Sequence, residues 1–459
     1  MDEDEAMSVI PQQQPGDSQE ARAGAARHNT DVDQSSRKVP VNLRQSGPTA
    51  VEMLISTRVR KSPYWHLSVE AGCWRATVYN RIYHPRGYVR PEEGGAMVEY
   101  ASLVNDVTMW NVAVERQIQV KGPDAEKLVD YVITRDATKI KPMHGKYVVL
   151  CNEDGGILND PVLLRVAEDE FWFSISDSDL ELWLRGVNIG KGFDVTIAEI
   201  DVCPVQIQGP KSEALMVDLF GDEVSDIPFY GLMEGQVAGR DVIISQTGFT
   251  GEKGYEIYLR DATLYAEDMW YAVLDAGKKH NLRVIAPAHH RRIAAGILSW
   301  GQDIDQEITP FQCNLAYQVP RNKDSDYIGK TALESHRAQL EAGDSPYTLG
   351  MVGLRLGGAE ITDYANDFWL VFSEGGNEAL GYVTSPWYSP ELQTNIALAF
   401  VPWEGRESGT RYEVELPVEY ALPDGTTRVA AEVVDVPFRP SVNPNSREVA
   451  KLRGSDFVD

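Results

Sequence analysis

The stretch Val242–Leu259, VIISQTGFTGEKGYEIYL, decides how the rest of the chain is read. Val242, Ile243 and Ile244 form a β-branched run, and Tyr255, Ile257 and Leu259 alternate with Glu256 and Tyr258. The pattern predicts two strands joined by a glycine-rich turn. Gly248, Gly251 and Gly254 are expected to give that turn positive φ angles and a close backbone approach to a ligand. Strand alternation puts Glu256 on the face opposite its apolar neighbours, where it meets either water or a pocket. In a pocket, a carboxylate fixed on a strand can accept two parallel hydrogen bonds from a flat N–H/NH2 edge such as a pterin presents, with Phe249 placed to pack on a ring. In water it is the solvated acid of an ordinary hairpin. The residues alone leave both readings open.

The bulk numbers narrow the function class. A chain of 459 residues, 43% hydrophobic and 24% charged, can build a sizeable core in two or three domains. Its net charge of −26 argues against nucleic acid and anionic membrane as partners, since both need a cationic face. No run of 18 apolar residues is present, and the chain opens on Asp2, Glu3, Asp4 and Glu5, so neither a membrane span nor a secretory signal is expected. Cys73, Cys151, Cys203 and Cys313 stand far apart, which signals neither a metal site nor a disulfide framework and leads us to expect reduced thiols in the cytoplasm.

Composition divides the chain in three. Residues 1–50 are poor in aromatics and rich in Gln, Ser and Asp, as in a disordered tail. Residues 51–340 read as an α+β body with two subdomains. A strand is expected over the alternating run from Trp110 to Val120, then a Gly122–Pro123 break and a helix capped by Asp124; the same strand, Gly-Pro and helix recur at Val205–Phe220. This repetition suggests an internal duplication. Further helices are expected over Asp177–Ile189 and Thr263–Lys279, and the paired His289 and His290 are expected to face solvent. Residues 341–459 hold five short strand-like segments with Gly and Pro turns, a small C-terminal β-barrel followed by a tail.

The run TGFTGEKGYEI resembles the glycine-cleavage T-protein (aminomethyltransferase) family of tetrahydrofolate enzymes. GGILNDPV, in which Asp160 falls on the second of two acids and Asn159 replaces the first, and GYVTSPWYSPELQTNIALAFV are similar to other family segments. The resemblance implies a T-protein fold whose C-terminal barrel roofs a folate cavity. Glu256 would hold the pterin, Phe249 and Trp300 would line the folate site, Arg292 would support it, and Asp160 would be the chief catalytic acid. The segment WNVAVERQ at Trp110–Gln117 is similar to the dimethylsulfoniopropionate demethylase branch, although that branch's Ser-Gly-Trp-Ser-Lys-Gln turn is Thr247–Glu252 here. The implied activity moves a methyl group from a small sulfonium or quaternary ammonium donor to N5 of tetrahydrofolate, with no metal and with Tyr79, Trp110 and Tyr147 as candidates to hold the donor. A methoxyaryl O-demethylase, a glycine-cleavage aminomethyltransferase and a non-catalytic folate binder are the alternatives.

Overall fold

The computed structural model describes residues 57–365, 368–417 and 420–439, so the tail expected over 1–50 lies outside them. The described residues fall into two compact units, 57–346 with 436–439, and 347–435. The strands of the first unit are β1 (Arg75–Tyr79), β2 (Ile82–Gly87), β3 (Thr108–Asn111), β4 (Gln117–Lys121), β5 (His144–Tyr147), β6 (Leu150–Cys151), β7 (Ile157–Asn159) and β8 (Val162–Ala167). They continue as β9 (Glu170–Ser174), β10 (Thr196–Glu199), β11 (Val202–Gln208), β12 (Leu232–Val237), β13 (Arg240–Ser245), β14 (Gly254–Arg260) and β15 (Arg283–Val284).

Two sheets with one plan form this body. One has the order β10-β4-β9-β8-β5, the other β12-β13-β14-β11-β3-β15. The strand before each Gly-Pro joins its own sheet, and the short strand preceding it crosses to the other: β3 pairs with β11, and β10 pairs with β4. The single strand expected from Trp110 to Val120 is therefore two, split between sheets at Val112–Arg116. Alternating apolar residues read as one strand because strand periodicity does not report a change of partner.

Both duplicated turns have the same steric requirement. Gly122 has φ +141° and a side chain there would meet the Asp194 carbonyl at 2.6 Å; Gly209 has φ +124° and would meet the Asp106 carbonyl at 2.6 Å. The helices that follow, Ala125–Val132 and Ser212–Phe220, cover the outer faces of their sheets. Asp124 does not cap the first of them: its carboxylate accepts the Asp194 N–H at 3.0 Å and pairs with Lys127.

Alternation sorts side chains into layers. Phe171 and Phe173 pack outward with Leu128, Val129 and Leu184, while Ile257 and Ile207 pack outward with Leu215, Met269 and Trp270. The inner faces meet through Leu164 and Trp172 of one sheet and Leu232, Ile243 and Tyr258 of the other. Each such large side chain contributes about 1.5–3 kcal/mol on burial. The helix expected over Asp177–Ile189 runs Leu180–Lys191, because Asp177 and Ser178 are tied to Asn80, whose N–H reaches the Asp177 carboxylate at 2.8 Å.

The second unit is a closed barrel of β16 (Leu349–Leu356), β17 (Trp369–Phe372), β18 (Ala379–Ser389), β19 (Thr394–Pro402), β20 (Arg411–Glu415) and β21 (Arg428–Val434), in the order β16-β19-β18-β17-β20-β21. It has one strand more than the five segments expected; β17 is four residues long and too short to show alternation. Among the described residues no helix is long and apolar enough to cross a membrane.

The two glycine environments make opposite predictions. Gly209→Ala should destabilise the protein by about 2 kcal/mol or more, from strain and carbonyl overlap. Gly186→Ala, exposed in the helix Leu180–Lys191 with open space at its Cβ position, should instead add about 0.5–1 kcal/mol. Urea unfolding of the two variants checks both signs.

Candidate functional site

Four neighbouring strands place one polar row on an inner sheet face. Ser245, Glu256, Gln206 and Trp110 are direct cross-strand partners along β13, β14, β11 and β3. Glu256 is 3% exposed, and its carboxylate is fully engaged on one side: Oε2 accepts from Thr247 Oγ1 at 2.7 Å and from the Tyr258 hydroxyl. Oε1 accepts from Gln206 Nε2 at 2.6 Å. Burial raises the Glu256 pKa, opposed by these donors. Gln206 is 2% exposed, and its Oε1 has no hydrogen-bond partner.

The turn after β13 is shaped differently from expectation. Gly251 alone of the three glycines has positive φ, +71°. Gly248 and Gly254 are needed for clearance, since a side chain at either would overlap the amide of Gln208 at 2.3 Å. That amide holds the loop, donating to the Thr247 carbonyl at 3.1 Å and accepting from Thr250 Oγ1 at 2.8 Å. Phe249, carried on this loop, packs beside Trp110 and Val112.

Asp160 enters from the other sheet, between β7 and β8, and is 7% exposed. One oxygen accepts from the Tyr147 hydroxyl at 3.0 Å and the other from Ser176 Oγ at 2.5 Å. Burial pushes its pKa up to about 7, against the two hydroxyl donors. Asn159 explains its own departure from an acid: Nδ2 donates to the Ser176 carbonyl at 3.0 Å and to Ser178 Oγ at 2.7 Å, so it pins the loop that serves Asp160, which a carboxylate could not do by donation. Glu115, on the Val112–Arg116 crossover, accepts from Ser174 Oγ at 3.1 Å. Burial, then Glu256 and Asp160, hold its pKa well above the usual carboxylate range.

One cavity of 1320 Å³ is lined by Glu115, Asp160, Gln206 and Glu256. Of the residues singled out in the sequence, Tyr79, Trp110, Tyr147, Asp160, Phe249, Glu256 and Trp300 also line it. Arg292 does not. Its side chain is wholly buried behind the wall, paired with Asp303 and donating to the Ile297 carbonyl at 3.0 Å. It braces the Ile297–Asp303 loop, whose Trp300 indole donates to the Ile157 carbonyl at 2.9 Å. His289 and His290 are buried, at 5% and 4% exposed, and burial depresses both pKa values. Solvent exposure was expected of them, but every residue of the helix His289–Ala294 is buried, with His289 at the cavity wall and in contact with Arg292. Gln206 and Glu115 were not singled out in the sequence: Gln206 lies in no resembling motif and meets Glu256 only through strand pairing, and Glu115, though inside WNVAVERQ, reaches the cavity only because the chain crosses between sheets at Val112–Arg116. Among the described residues no cluster of His, Cys, Asp and Glu is arranged to hold a metal ion.

Removing the partner of Arg292 should be costly. Asp303→Ala leaves a guanidinium charged in a fully buried position, and the expected loss is about 3–5 kcal/mol in denaturant unfolding.

Residues 65–323 match the family described as the GCVT N-terminal domain, and residues 351–439 match the glycine cleavage T-protein C-terminal barrel domain. The chain is 34% identical over 362 residues to dimethylsulfoniopropionate demethylase of Ruegeria pomeroyi, covering 79% of this chain and 94% of that protein. It is 30% identical over 337 residues to an aminomethyltransferase of Clostridium botulinum, covering 72% and 88% respectively. The crystal structure of the glycine cleavage system aminomethyltransferase T from Bartonella henselae shares the fold, with a TM-score of 0.71 at 24% identity over 83% of this chain and 99% of that one. With both domains matched, this chain belongs to the glycine-cleavage T-protein family.

Proposed function

We propose that this protein is a tetrahydrofolate-dependent methyltransferase that takes a methyl group from a small onium donor, a sulfonium such as dimethylsulfoniopropionate or a quaternary ammonium, and yields 5-methyltetrahydrofolate. The observation that carries the reading is the meeting of Glu256, Gln206 and Asp160 in one cavity. A pterin presents a flat N–H/NH2 edge. Oε2 of Glu256 already has two donors, so the carboxylate cannot grip that edge with both oxygens as its pattern suggested. The remaining lone pair of Glu256 Oε1 and the buried, unpartnered Oε1 of Gln206 are the acceptors left unfilled in this row. The residues present therefore fit the group.

Tetrahydrofolate supplies the nucleophilic N5. Asp160 receives the proton that N5 releases, directly or through water, and a carboxyl group with a pKa near 7 is suited to that transfer at neutral pH. Tyr147 and Ser176 fix its two oxygens and hence its direction. Glu115 forms no ion pair among the described residues, and burial holds its pKa up, so a cation beside it would favour its charged form; with the rings of Tyr79, Trp110 and Tyr147 it lines a wall that favours a cationic methyl donor over a neutral one. Orientation of such a donor against N5 can supply roughly 7–11 kcal/mol of the acceleration.

Two observations disfavour the aryl-ether alternative. Its leaving group would need a proton, and burial raises the pKa of Tyr79 and of Tyr147 above the usual phenol value. Tyr147 moreover already donates to Asp160. The relatives leave aminomethyl transfer as the competing activity.

A donor panel tests the reading. Sulfonium and quaternary ammonium compounds should yield 5-methyltetrahydrofolate, whereas methoxyaryl compounds and aminomethyl-lipoyl protein should not; turnover of either of the latter alone would overturn the assignment. Two variants then separate the roles. Glu256→Ala should weaken tetrahydrofolate binding by about 1–3 kcal/mol, read by calorimetry, since a buried edge loses its acceptor. Asp160→Asn should lower kcat with little change in binding. In the wild type, protonation of Asp160 below about 7 removes the base, so log kcat/KM should rise with pH through that region, and the variant should lose this limb.

A further inference from the structure

The segment Arg135–Lys146, RDATKIKPMHGK, stands apart in a chain whose net charge is −26. It carries Arg135, Lys139, Lys141, His144 and Lys146 against a single acid, Asp136, and all six line the mouth and wall of the cavity. Internal neutralisation reaches one of these cations, Lys139. The Asp136 carboxylate is occupied by Thr138 and by Lys139 at 3.0 Å. Arg135, Lys141 and Lys146 form no ion pair among the described residues. The Arg135 guanidinium is partly buried, lies over the Tyr317 ring at 5.8 Å and donates to the Tyr317 carbonyl at 3.4 Å, while its Nε is buried without a hydrogen-bond partner. Burial and then the nearby Arg135 charge lower the Lys146 pKa. Holding like charges together at a cavity on an acidic protein is unfavourable unless an anion completes the set.

Their depth is graded. Arg135 is partly covered, whereas Lys139 and Lys141 are exposed, so the charges run outward from the cavity rather than converging on one point. A run of this kind matches successive carboxylates better than a single compact anion. We propose that Arg135–Lys146 is an anion-receiving rim that binds the carboxylates of a ligand whose other end occupies the cavity. The identity of that ligand rests on the proposed function, which offers two sources of the same chemistry: the γ-linked glutamate tail of the folate, and the carboxylate of the methyl donor.

The test uses the full chain, wild type and the exposed double variant Lys141→Gln/Lys146→Gln, with Arg135→Gln as a second variant. Calorimetry compares tetrahydrofolate bearing one and three γ-glutamates with tetrahydropterin, which lacks the tail. If the rim holds the tail, the wild type should bind the triglutamate form roughly tenfold more tightly than the monoglutamate at low salt, from several ion pairs each of a few-fold. The gap should close in the double variant and in high salt, with tetrahydropterin bound equally by all. If the rim holds the donor instead, the double variant should raise the KM of dimethylsulfoniopropionate several-fold and leave that of trimethylsulfonium, which has no carboxylate, unchanged. Equal affinities and equal KM values for wild type and variants, whatever carboxylates the ligand carries, would overturn the rim and return the lysines to an ordinary solvated face. Should the wild type take up no reduced folate, the proposed function falls separately. Free tri-γ-glutamate then decides the rim: salt-sensitive binding lost in the double variant sustains it, and none at all overturns it.

Discussion

A carboxylate that is 3% exposed on a central strand has lost almost all its water, and the fold is arranged to replace what was lost. Glu256 is supplied with donors from three directions: Gln206 across the strand pair, Thr247 from the turn that precedes its strand and Tyr258 from its own strand. A group buried in this way is costly unless its hydrogen bonds are made, so the register of β11 on β14 and the course of the glycine turn are both constrained by it. The compensation is incomplete in one place. The Gln206 Oε1 is buried and left without a hydrogen-bond partner.

The duplicated architecture explains why such a site can exist. Each sheet lends a short strand to the other, so the two halves cannot separate without losing strand pairs, and the crossover Val112–Arg116 runs between them. That crossover delivers Glu115, the second sheet delivers Asp160, and the first delivers Glu256, so three acids from distant parts of the chain face one cavity. Burial raises the pKa of each, with repulsion from Glu256 and Asp160 added at Glu115, and a cationic guest would favour the charged forms. Buried acids and a basic segment line the same largely apolar cavity, a charge pattern suited to a ligand set with a positive centre and a negative tail.

Much of this was legible in the residues themselves. The hairpin around Glu256, the Gly-Pro repetition, the α+β body and the closed barrel followed from alternation, turn chemistry and motif resemblance, all of which are local. Local signals failed where partners change. Trp110–Val120 keeps one alternating phase, broken only at Arg116, yet serves two sheets, and β17 is too brief to alternate at all. His289 and His290 were expected in water because a polar pair in a short helix carries no record of what surrounds it; here the surroundings are Arg292 and the cavity wall.

The sequence by itself determined which residue types were available for chemistry, the strand that carries Glu256 and the turn that presents Asp160, because these depend on neighbours within a few positions. Only the tertiary structure decided that Gln206 and Glu115 share their cavity, that Arg292 braces the wall from behind, and that the glycines at 248 and 254 make room for Gln208 rather than turn the chain. The reason is physical. Backbone preference acts over a few bonds, whereas desolvation, pKa and hydrogen-bond satisfaction depend on groups that meet only when separated strands pair.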